Sequence, residues 1–73
     1  MEFTVDQTLQ NGVAVHKSGK FQEAKRLYRA ILQEQPNHPH ANHNLGVLAM
    51  AVGKPREAIA FFEVALECSP NTQ

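Results

Sequence analysis

The chain repeats itself at a fixed interval of 34 residues. Laid over residues 39–72, residues 5–38 coincide at nine places: Gly12/Gly46, Val13/Val47, Gly19/Gly53, Lys20/Lys54, Glu23/Glu57, Ala24/Ala58, Leu32/Leu66, Pro36/Pro70 and Asn37/Asn71. Unrelated segments of this length coincide at about two, given usage of roughly 5–7% for a common residue type. A period of this size belongs to arrays of helical units, each burying an apolar face against its neighbour. Such a chain is expected to offer a binding surface rather than a catalytic cleft.

Each unit reads as two helices. Thr4-Val5-Asp6-Gln7 has the form of a capping box, so a first helix starts there and runs to about Ser18. Gly19-Lys20 ends it, because glycine tolerates the left-handed exit. Phe21, Ala24, Leu27, Tyr28, Ile31 and Leu32 fall at helical spacing and mark a second helix that Pro36 stops. The second unit repeats the plan. Pro39 suits a first turn, Ala41, Leu45, Leu48 and Val52 form a stripe, and Gly53-Lys54 makes the turn. Pro55 opens a fourth helix carrying Ala58, Ile59, Phe62, Ala65 and Leu66, and Pro70 ends it. No segment alternates with period two, so the fold class is all-α: two antiparallel helix-turn-helix repeats, about 5–38 and 39–72, within one domain over 1–73.

Small residues set how closely the helices pair. Gly12 and Gly46 stand on the first helix of each unit, Ala24 and Ala58 on the second. Without large side chains at those levels two helices approach closely, and Tyr28 and Phe62 fill the space beside them. A leucine at either alanine would overpack the crossing.

Composition removes several function classes. Lysine plus arginine equals aspartate plus glutamate, seven of each, so no basic footprint for nucleic acid and no polybasic membrane patch is expected. No run approaches the ~18 apolar residues of a membrane span, and the start lacks the pattern of a signal peptide. One cysteine, Cys68, forms no internal disulfide, which suits a cytoplasmic, reducing location.

The residues at these offsets resemble the tetratricopeptide repeat family. The second unit carries its Leu45-Gly46, Ala58, Phe62 and Pro70, with Asn42 in the tryptophan place and Ala49 in the tyrosine place. The first carries Gly12, Ala24, Tyr28 and Pro36, while Thr8, Asn11 and Val15 depart from the pattern. The resemblance implies a short right-handed superhelix whose first helices line a groove for an extended peptide or a helix. Carried over, the groove residues are Asp6, Leu9, Gln10, Val13, His16 and Lys17, then His40, His43, Asn44, Val47, Met50 and Ala51. Leu9 and Val13 stand where a carboxylate clamp needs lysine and asparagine, so a chaperone-tail adaptor is not expected. Asn44, with Gln10 at the equivalent place, is similar to the amide ladder in repeats of O-linked N-acetylglucosamine transferases and bacterial proteins like them. An amide offers a donor and an acceptor to each peptide unit.

Other sites are weaker readings. His38, His40 and His43 lie close in sequence, but Pro39 separates the first two and no cysteine or carboxylate adjoins them, so no metal is expected. Ser18 and Ser69 lack a His/Asp partnership, Cys68 lies near a helix C-terminus where the dipole disfavours a thiolate, and glycines occur singly. The chain is therefore expected to be no enzyme and to need no cofactor. Lys25, Arg26 and Arg29 read as a solvated convex strip, with an acidic partner as the sharper alternative.

The last helix carries the remaining expectation. Phe61, Phe62, Ala65 and Leu66, with Cys68, lie on an edge that a further repeat or a second copy would cover. The chain is expected to be the N-terminal part of a longer protein, or to self-associate through this uncapped helix. As function, a protein- or peptide-binding scaffold is expected, the alternative being a non-catalytic docking or dimerisation arm of a glycosyl- or sulfotransferase-like protein.

Overall fold

Thr4 starts the first helix by satisfying amides that no helical carbonyl reaches. Its hydroxyl accepts from the Gln7 amide at 3.0 Å, and the Gln7 side chain accepts from the Thr4 amide at 3.4 Å. The computed structural model describes residues 4–68, in four helices: α1 (Val5–Lys17), α2 (Phe21–Glu34), α3 (Pro39–Ala51) and α4 (Pro55–Cys68). No strand occurs among the described residues. The expected stop at Pro70 and the side chain of Cys68 lie outside what is described.

Both hairpins turn by the same device. Gly19 and Gly53 have φ of 84° and 79°, a region in which a Cβ costs about 1–2 kcal/mol. In the first turn the Lys20 amide donates to the Val15 carbonyl at 2.9 Å and the Gly19 amide to that of His16 at 3.0 Å. In the second, Lys54 donates to Ala49 at 2.8 Å and Gly53 to Met50 at 3.1 Å. These paired bonds satisfy the last carbonyls of α1 and α3 and reverse the chain.

The link between the hairpins depends on two side chains whose roles the sequence pattern did not announce. His38 caps α3, its Nδ1 accepting from the Ala41 amide at 3.1 Å, while Pro39 fills the first turn. Imidazole Nδ1 lies as many bonds from Cα as asparagine Oδ1, so a ring nitrogen without a proton can serve as a cap. Asn42 is only 3% exposed, and its Nδ2 donates to the carbonyls of Pro36 at 3.2 Å and His38 at 2.9 Å. That residue holds the connection against the first turn of α3 and so fixes how the second hairpin leaves the first.

The core gathers around α3, which packs on both α2 and α4. Ala24, Tyr28, Leu45 and Leu48 form its buried cluster, with Leu9, Val13, Val15, Phe21, Leu32 and Phe61 packed against it. Ala24 and Ala58 have no exposed surface, in keeping with a close crossing at both levels. The glycines explain the rings. A Cβ built on Gly12 would stand 2.6 Å from Tyr28 Cε1, and one on Gly46 2.6 Å from Phe62 Cδ1. Each ring occupies the notch that a missing side chain leaves.

The two units differ in a coordinated way at these rings. Tyr28 buries its hydroxyl and pairs it with His16 Nδ1 at 3.3 Å, with Phe21 edge-on to the same imidazole at 5.5 Å between ring centres. At the equivalent places the second unit has Phe62 and Met50, so both polar partners are replaced together. A buried phenol needs a partner and a phenyl does not.

Candidate functional site

The exposed side chains of α3, with Ala51 at its C-terminal end among them, keep to a narrow face. His40, His43, Val47 and Met50 are exposed, and their spacing of three, four and three residues places them along one face of the helix. Asn44, half-buried, borders that face. Met50 is 56% exposed and Val47 39%, which is unusual for apolar side chains on the most buried helix of the chain. His43 stacks at a tilt against Phe62, 5.6 Å between ring centres, so its imidazole is steadied from α4.

On α1, which touches α3 directly, the corresponding residues divide. Asp6, Gln10 and Lys17 are exposed. Leu9 and Val13 are half-buried and pack against the core, and His16 is engaged by Tyr28 and Phe21. The face shared by the two helices is thus polar toward α1 and mixed toward α3, with Gln10 and Asn44 at equivalent places.

The imidazoles do not converge, although three of the four cap or lie on α3. His38 spends its Nδ1 on the cap, with the His40 ring 5.9 Å away, whereas His16 belongs to the first hairpin. Among the described residues no group of three potential metal ligands comes together. No helix there is long and apolar enough to cross a membrane.

The edge of α4 is less uniform than its sequence suggests. Ala65 is buried and Phe61 packs inward on the core, while Phe62 is half-buried over Gly46. Leu66, 75% exposed, is the one residue of the expected four that stands largely clear, joined by Ile59 at 56%. Ile59 was legible as a face residue from its spacing of seven from Leu66.

Beyond the geometry, the family model for the tetratricopeptide repeat matches residues 16–73, most of the chain. The chain belongs to the tetratricopeptide repeat family. Tetratricopeptide repeats generally mediate protein–protein interaction and serve as non-catalytic scaffolds. Among curated proteins nothing matches the chain. Within the family's pattern Asn42 takes the tryptophan place, and together with the His38 cap it builds the start of α3 with polar side chains.

Proposed function

We propose that this tetratricopeptide chain takes an extended peptide or a helix along the shared face of α1 and α3. The observation that carries the reading is the exposed line His40, His43, Val47 and Met50 beside Asn44. An unbranched thioether adapts to varied partners, and the Asn44 and Gln10 amides can bond a peptide backbone without reading its side chains. The test uses peptides selected from a random library displayed on phage. Asn44→Ala should weaken a selected peptide by about 2- to 10-fold, the worth of one net hydrogen bond. Met50→Glu should weaken it further, and neither should lower the melting temperature by more than a degree or two. Binding unchanged in both variants would move the site off this face.

A second reading, in which a further copy stacks on α4, is favoured by Ile59 and Leu66 standing exposed one above the other. This would suit a dimerisation arm of a larger transferase-like protein. Sedimentation should then show a concentration-dependent dimer that Leu66→Lys disperses. A monomer at millimolar concentration removes that reading.

A further inference from the structure

A depression of about 640 Å³ lies away from the α1/α3 face, walled by α2 and the start of α4 and floored by α3. Its floor and sides are apolar, from Leu32, Leu45, Leu48, Val52 and Phe61. Its rim carries Lys25 and Arg29 on one side and Lys54 on the other, with Glu57 as its carboxylate. A shallower depression of about 490 Å³ adjoins it on α2, shares Lys25 and Arg29, adds Arg26, and has no carboxylate in its lining. Four of the chain's seven lysines and arginines therefore line this surface, against one of its seven acidic residues. The neutral chain is locally basic here.

The repeat shows that the fold does not require this charge. The residues equivalent to Lys25, Arg26 and Arg29 on α4 are Ile59, Ala60 and Glu63, on a helix with the same role in its hairpin. Nothing in the hairpin geometry asks for cations at these three places on one helix and none at the same places on the other.

We propose that this groove docks an acidic amphipathic helix of a partner protein. From Phe21 to Gln33 the wall runs along α2 for thirteen residues, a span of about 18 Å at 1.5 Å per step, or roughly three helical turns. A helix laid there rests its apolar anchors, at i, i+3 or i+4, and i+7, on Leu32, Val52 and Phe61, which keep exposed surface, with the buried Leu45 and Leu48 beneath them. Its flanking carboxylates meet Lys25 and Arg29 on one wall and Lys54 on the other, and Arg29 can donate two parallel hydrogen bonds to one carboxylate. Lys25 is half-buried, so its stem lines the wall while its ammonium stays at the rim. Cations on both walls are matched by carboxylates spread along a helix. The single head group of a fatty acid reaches only one of them.

The probe is a labelled peptide of roughly four helical turns, built from leucine at the anchor places with glutamate flanking, beside a twin with lysine for every glutamate. Fluorescence polarisation with the full chain should show the glutamate peptide binding, more weakly as salt rises, and the lysine twin failing. Lys25→Glu with Arg29→Glu should cost about tenfold in affinity, the sum of two exposed pairs. Val52→Arg, which fills the floor from an exposed position, should abolish binding while circular dichroism shows the fold intact. Equal binding of both peptides, no loss in the double reversal, or displacement of the peptide by dodecanoate at equal concentration would overturn the proposal. Loss of binding in Asn44→Ala would also overturn it, because the peptide would then be on the α1/α3 face.

Discussion

Tyr28→Ala should leave the chain largely unfolded at 25 °C. Tyr28 is the largest side chain with no exposed surface, and its ring fills the notch over Gly12 while touching the buried cluster with Leu45 and Leu48. Removing a buried aromatic ring typically costs about 3–5 kcal/mol, since the cavity cannot close completely. A chain of this length has roughly 4–11 kcal/mol in all, at 0.05–0.15 kcal/mol per residue, and short chains sit toward the lower end. The loss is therefore comparable with the whole. Urea titration followed by circular dichroism should place the midpoint near zero denaturant. A variant that still melts cooperatively, within about 1 kcal/mol of the parent, would show that the ring does not hold the core together.

Tyr28→Phe separates the ring from its hydroxyl. It keeps the packing and loses the pairing with His16, for about 0.5–1.5 kcal/mol. It also removes an alkaline sensitivity. Burial raises the Tyr28 pKa above its ordinary 10.0, so the unfolded chain ionises first as pH rises. The stability held in the neutral phenol is complete below pH 10 and lost above it, as pH climbs toward the folded-state value. The parent should thus lose stability above pH 10 more steeply than Tyr28→Phe does.

Much of this architecture was legible because it rests on residues that repeat. Gly12 and Gly46, Ala24 and Ala58, and the turn glycines Gly19 and Gly53 recur at one spacing, and each has a steric reason that needs no knowledge of the rest of the fold. What escaped was set by neighbours distant in sequence or by one unit alone. His38 read as a potential metal ligand beside His40 and His43, not as a cap, because imidazole caps are uncommon, although Pro39 at the next place marks where a cap must stand. Asn42 read as a departure from a tryptophan pattern, and only the returning Pro36 carbonyl gives its amide work. Phe61 and Ala65 read as edge residues from helical spacing, which cannot tell a face turned toward α3 from one turned outward. The Lys25, Arg26 and Arg29 strip was visible, but its apolar floor comes from α3 and emerges only when the hairpins stack.

Gly46→Ala is the converse of Tyr28→Ala, a single carbon added where there is no room. In an ordinary helix interior this exchange stabilises by about 0.5–1 kcal/mol, because glycine loses more freedom on folding. Here the new carbon would stand 2.6 Å from Phe62 Cδ1 and 2.8 Å from Cζ, inside any tolerable contact. The ring cannot swing freely, since His43 lies against it and α3 backs it. We expect a net loss of about 1–3 kcal/mol, with the sign opposite to propensity. The cause can be isolated by pairing the change with Phe62→Leu. If the ring is the obstacle, alanine at 46 should cost much less beside leucine, with a coupling of about 1 kcal/mol or more in the double-mutant cycle. Gly53→Ala serves as the contrast: nothing lies within 4 Å of its added carbon, and its cost comes from φ of 79° alone. Phe62→Leu should therefore leave the Gly53→Ala cost unchanged. Rescue of both, or a Gly46→Ala chain more stable than the parent, would mean that Phe62 does not sit over Gly46.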